Sequence, residues 1–168
     1  MNSVTLDNIT VAGDVPTASL RYALFKAALA QLSSPGRDGT FKKLDVDYVR
    51  TWAISHLQRE RAEQHQRQLP AQPAQIAVYL AKANQAQHWQ NDAAPDQNDY
   101  PALYGLEAHA RQWDPGEVAK TITTQHRIWL AVADRIEAVA TAGIAAIQQA
   151  PTTDHILQAL ASVEWPSP

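Results

Sequence analysis

The groups through which this chain could do chemistry are six histidines, seven serines and 17 Asp and Glu residues. His56, His65, His88, His109, His126 and His155 are scattered, with no HxH or HExxH among them. A metal centre would need three or four of them to converge with carboxylates through the fold. The expectation is that they are surface or boundary histidines, with no His–carboxylate pair at helical spacing. Ser3, Ser19, Ser33, Ser34, Ser55, Ser162 and Ser167 lack the flanking glycines of a nucleophile elbow. Among the carboxylates, Asp45 and Asp47 stand beside an expected helix start, where capping accounts for them. Asp134 and Glu137, three apart, read as part of a solvated stripe.

Phosphate and nucleic-acid chemistry find equally little. The run Pro35 to Lys43 has glycines and lysines without the GxxxxGK[ST] spacing. Its cluster Arg37, Lys42 and Lys43 reads as an exposed turn. A nucleic-acid regulator would require that cluster to share one face with Arg50, Arg59 and Arg61. The mixed signs of Arg59, Glu60, Arg61, Glu63, His65 and Arg67, and a formal charge of -3, argue against it. There is no cysteine, which removes a disulfide framework, a thiolate nucleophile and any Cys-built metal site. The sequence therefore predicts no enzyme, no cofactor, no metal and no nucleic-acid partner.

The elements that would position these residues are mostly helical. At 168 residues the chain can bury a core without staples, and only 18% of it is charged. The opening has no basic region followed by an apolar run, and no window approaches about 18 apolar residues, so neither a signal peptide nor a membrane span is expected. Val4, Leu6, Ile9 and Val11 read as one extended strand or arm that needs a partner sheet, a helix face or another subunit. A first helix is expected over Thr17 to Leu32, with Leu20, Leu24, Ala27, Ala28 and Leu32 at helical spacing, stopped by Ser33 to Gly39. A second runs from about Asp45 to Gln68. Val49, Trp52, Ala53, His56 and Leu57 form its apolar side, and a polar solvated extension follows.

Pro70 and Pro73 mark a module boundary, giving residues 1–70 as an arm with two helices and residues 74–168 as a helical domain. A third helix, about Ala74 to Gln90, carries Ile76, Tyr79, Leu80, Ala83, Ala86 and Trp89. A short fourth opens at Pro101 with Leu103, Leu106, Ala110 and Trp113. Asp114-Pro115-Gly116-Glu117 is an N-cap, a first-turn proline and a capping-box glutamate in series. The helix it starts is expected to reach Gln149 along a heptad-like seam of Val118, Ile122, Gln125, Trp129, Val132, Ile136, Val139, Gly143 and Ala146, with a break near Gly143 as the alternative. Thr152 or Thr153 caps a last helix with Ile156, Leu157 and Leu160. The fold class is thus mainly α: an N-terminal extended segment and helices, then a C-terminal hairpin or bundle with one long helix. Trp165, near the end of the chain, is expected to dock as a latch or to join a contact surface.

The runs YLAKANQAQHW (Tyr79 to Trp89), YPALYGLEAHARQWDPGEVAKTI (Tyr100 to Ile122), W-x4-D-R-I-E (Trp129 to Glu137) and AAIQQAPTTDHILQAL-x3-EWP resemble small proteins of tailed bacteriophages, of the tail and tail-fibre-assembly kind. The resemblance covers residues 74 to 166 and carries no catalytic signature. It implies a structural component of a phage tail or baseplate, made in the host cytoplasm and placed in the virion tail. Its partners would be other tail or baseplate proteins, in an oligomeric assembly. A tail or tail-fibre assembly chaperone absent from the mature particle, and a lysis or wall-cleaving enzyme, are the alternatives. On this reading Val4, Leu6, Ile9, Val11 and Trp165 are the candidate protein-interface residues.

Overall fold

The computed structural model describes residues 2–6, 9–32, 45–68, 73–105 and 114–167. They form two strands, β1 (Asn2–Leu6) and β2 (Ile9–Gly13), and six helices: α1 (Thr17–Leu32), α2 (Val46–Gln68), α3 (Pro73–Asn91), α4 (Pro101–Tyr104), α5 (Pro115–Gln149) and α6 (Thr153–Ala161). The fold is mainly α. The basic cluster Arg37, Lys42 and Lys43, together with Leu106, His109, Ala110 and Trp113, lies outside the described residues.

The chain forms two units, one of residues 1–64 with 135–168 and one of residues 65–134. This division differs from a boundary at 70–74. The segment from residue 135 onward belongs with the first helices because Ile147, Ala150, Ile156, Leu157, Leu160 and Val163 share one core with Phe25, Leu29, Val49, Ala53 and Leu57.

The N-terminal segment corrects the expectation of one orphan strand. β1 and β2 pair antiparallel, with Val4 opposite Val11 and Leu6 opposite Ile9. The period of two puts Val4, Leu6, Ile9 and Val11 on one half-buried face and leaves Ser3, Thr5, Thr10 and Ala12 exposed. Thr5 and Thr10, directly opposite each other on that outer face, bond through their hydroxyls at 3.0 Å. The hairpin packs on α1, and Leu6 reaches the main core. The apolar face therefore has shelter within the chain.

α1 buries Leu20, Leu24, Phe25, Ala28 and Leu29. Phe25 and Leu29 take the inner positions, while Leu32 is exposed. α2 buries Val49, Ala53, His56 and Leu57, as its spacing predicts. In the first unit α5 turns Ile136, Ala140, Gly143 and Ile147 inward and leaves Ala146 exposed. These positions keep alternating steps of four and three, but after Ile136 the step of four comes first, so the inward face falls on Ala140 and Ile147 and not on Ala146. The helix continues through Gly143 without a break. A Cβ there would lie 2.8 Å from Leu57 Cδ2 and 3.0 Å from Val163 Cγ2, so glycine admits the close approach of α2 and the C-terminal segment.

The second unit has its own small core of Ala86, Leu103, Val118 and Ala119, with Trp89, Tyr100, Tyr104 and Ile122 against it. Asp114 caps α5 as its sequence predicts, its Oδ1 accepting from the backbone N–H of Gly116 at 2.8 Å and of Glu117 at 3.3 Å. Thr152 caps α6, accepting from the His155 N–H.

Candidate interaction site

The main polar centre of the first unit grows out of the buried stripe of α2. Val49, Ala53, His56 and Glu60 recur at steps of four and three, so Glu60 lies one turn beyond His56 on the inward side. α1 brings Arg21 to the same place. One Arg21 terminal nitrogen donates to both Glu60 oxygens, at 2.8 and 2.7 Å, and the other donates to the carbonyl of Val163. His56 Nε2 stands 3.3 Å from Glu60 Oε1, and Trp165 Nε1 donates to Glu60 Oε2 at 3.0 Å. Arg59 Nη2 lies 3.4 Å from His56 Nδ1. Since arginine only donates, Nδ1 is placed as an acceptor, leaving Nε2 to carry the proton given to Glu60.

An aromatic wall backs this network. Phe25 meets Trp52 and His56 edge-on at centroid distances of 6.0 and 5.0 Å, Trp52 stacks on His56 at 5.6 Å, and the Arg21 guanidinium lies 5.5 Å from the Phe25 ring centroid. The Arg21 and Glu60 side chains are only 13% and 21% exposed. Burial alone would raise the Glu60 pKa. The hydrogen bond from His56, the Arg21 charge and the hydrogen bond from Trp165 outweigh it and hold the carboxyl below its usual value. The centre is a saturated clamp, with each oxygen of Glu60 engaged by two donors.

Sequence reasoning missed Glu60 and its pairing with His56, because the mixed charges after Leu57 read as a solvated face. The signal was the unbroken spacing 49, 53, 56, 60. Trp165 is half-buried, docked on α2 of its own chain. Val4, Leu6, Ile9 and Val11 lie in the hairpin that packs on α1, and of these Leu6 packs against the same core as Trp165. Other titratable groups are engaged locally. Arg50 donates to Asp47 and, at 3.1 Å, to the carbonyl of Ala150. Arg61 reaches Glu137 at 3.4 Å, and Tyr22 donates to Asp154 at 3.0 Å. Thus Glu137 meets an arginine of α2, and Arg50, Arg59 and Arg61 each have a neighbour inside the first unit.

In the second unit a shallow groove is lined by Gln87, His88, Asn91, Asp92, Ala93 and Tyr100. Tyr100 donates to Asp92 Oδ2 at 2.8 Å, and Asp92 Oδ1 accepts from the Ala94 N–H at 3.0 Å. The backbone donor of Ala94 and then the Tyr100 hydroxyl lower the Asp92 pKa, and Asp92 in turn raises that of Tyr100. Among the described residues no group of three or more His, Asp or Glu could hold a metal ion. His126 stacks on Trp129 at 5.8 Å, and His155 Nδ1 contacts the Thr152 hydroxyl at 2.6 Å.

Apolar exposure is concentrated in the second unit. Val78, Tyr79 and Leu80, consecutive on α3, are 53%, 56% and 41% exposed, and Ile128 and Leu130 of α5 are also exposed. Tyr79 and Leu80 thus depart from the expected buried stripe, whose inner positions are Ala83 and Ala86. No helix among the described residues is long and apolar enough to cross a membrane. No family model, curated protein or solved structure matches the chain.

Proposed function

We propose that the protein is non-enzymatic and acts through protein–protein contacts, as a structural component of a bacteriophage tail or baseplate. The observation that carries the contact reading is the exposure of Val78, Tyr79 and Leu80 on one turn of α3. Three large apolar side chains in succession point over about 200° of a helix, more than one neighbouring element of the unit can cover. A helix with this much uncovered apolar surface fits a chain that is completed by others. The tail assignment is supported by the sequence resemblance over residues 74–166, the stretch that includes this turn. The partners are then other tail or baseplate proteins, in repeated copies set by the tail symmetry.

The test is quantitative mass spectrometry of purified mature particles from a host carrying the gene. A structural component is present in fixed stoichiometry with known tail proteins. Presence in the lysate with absence from the particles makes it an assembly chaperone instead. Normal tails from a deletion strain overturn both readings.

A further inference from the structure

The segment after α6 fills a groove built by residues far from it in sequence. Val163 is buried against Leu57 and Gly143, where a glycine Cβ would already crowd its Cγ2. Arg21 donates to the Val163 carbonyl, and Trp165 Nε1 donates to Glu60 Oε2 at 3.0 Å. Glu164 between them is exposed. Val163 inward, Glu164 outward and Trp165 inward is the alternation with which a bound peptide presents its side chains. The acceptor is set without the ligand, because Arg21 and His56 hold Glu60 by themselves.

We infer that Arg21, Leu57, Glu60 and Gly143 form a recognition socket for a Val-x-Trp peptide, filled in cis by residues 163–165 and able to take the same segment from a second copy of the chain. Gly143 and Leu57 select the valine, the guanidinium takes its carbonyl, and the carboxylate demands an N–H on the aromatic side chain. A second copy is the occupant in trans because its segment repeats every one of these contacts. The chain's own segment wins in dilute solution through an effective concentration on the order of millimolar. Exchange becomes favourable where copies are held side by side. The socket itself does not rest on the tail reading; exchange between copies rests on the repeated copies which that reading supplies, and the peptide experiment tests the socket alone.

The experiment is fluorescence anisotropy with a labelled peptide of residues 161–168, titrated with full-length Trp165→Ala and with the unaltered chain. Trp165→Phe keeps the apolar bulk without the N–H donor and replaces the alanine variant if circular dichroism shows lost helix. The expected result is saturable binding to the variant, at least tenfold weaker uptake by the unaltered chain, and about a tenfold loss when the peptide carries Phe for Trp. Absence of binding to a folded variant, or equal binding by variant and unaltered chain, overturns the socket. Insensitivity to the Trp-to-Phe change overturns the role of Glu60.

Discussion

Trp165 and Glu60 are joined by a 3.0 Å hydrogen bond across 105 residues of sequence. Through it, and through Arg21 on the Val163 carbonyl, the end of the chain is fastened to both α1 and α2. Each link ends on a charged group, where a hydrogen bond contributes more than between neutral partners.

The clamp gives the first unit an acid-sensitive component. The pKa of Glu60 is lower in the folded chain than the usual 4.5. Such a group contributes stability that is fully present above the unfolded value and is lost as pH falls through the folded one. Urea midpoints for the unaltered chain should therefore decline below about pH 5. Glu60→Gln should cost about 2 kcal/mol at neutral pH, through weakened bonds to Arg21 and Trp165, and should flatten the acid limb. Parallel pH profiles for the two proteins would remove Glu60 from this role.

At Gly143 α5 comes too close to Leu57 and Val163 to admit even a Cβ without a shift. Gly143→Val should destabilise by roughly 1–3 kcal/mol through overpacking, despite removing a glycine from a helix interior. Thermal unfolding followed at 222 nm reads this directly. An unchanged or raised Tm would mean that the two side chains move aside freely.

These residues also show where sequence was a sufficient guide. The start of α5 was legible because an N-cap, a first-turn proline and Glu117 act within four residues, with no help from the fold. The apolar side of α2 was legible for a similar reason, since a helical stripe is a local pattern. Glu60 was legible only in part: its spacing continues the buried stripe, but the groups that make a buried carboxylate acceptable there, Arg21 and Trp165, are distant in the chain. The hairpin is hard to see in the sequence because Asp7-Asn8, the two residues between the alternating runs, lacks the glycine that marks a two-residue turn. At Gly143 the expected continuous helix holds, and the close approach of Leu57 and Val163, which only the fold supplies, is what the glycine admits.

The cap of α5 offers a local control. Asp114→Ala removes the acceptor for two free N–H groups of the first turn and should cost about 1 kcal/mol. Asp114→Asn or Asp114→Ser should restore most of it. Hydrogen exchange at Gly116 and Glu117 is the appropriate readout, and unaltered protection in the alanine variant would count against the cap.

Tyr100 should ionise late. Its hydroxyl donates to Asp92, and a neighbouring negative charge also opposes phenolate formation, so its titration lies above the usual 10.0. Asp92→Asn removes the charge and should bring that transition back down. Difference absorbance near 295 nm, with Tyr100→Phe identifying the signal, measures it. A phenol that titrates at the same pH with Asn at position 92 would show that the contact does not persist in solution.

The exposed turn of α3 makes the sharpest distinction between folding and contact. Tyr79 and Leu80 contribute little to the core of Ala86, Leu103, Val118 and Ala119, which forms without them. Tyr79→Lys and Leu80→Lys should therefore change unfolding free energy by no more than about 0.5 kcal/mol, as ordinary surface substitutions do. A helix face that serves a partner behaves differently in the assembly, where a desolvated lysine at the centre of an interface is strongly unfavourable. The expected pair of results is a full-strength fold in isolation and loss of the chain from purified particles. A large loss of stability in the isolated protein would show instead that this turn is part of the chain's own core, and the contact reading would lose the observation that carries it.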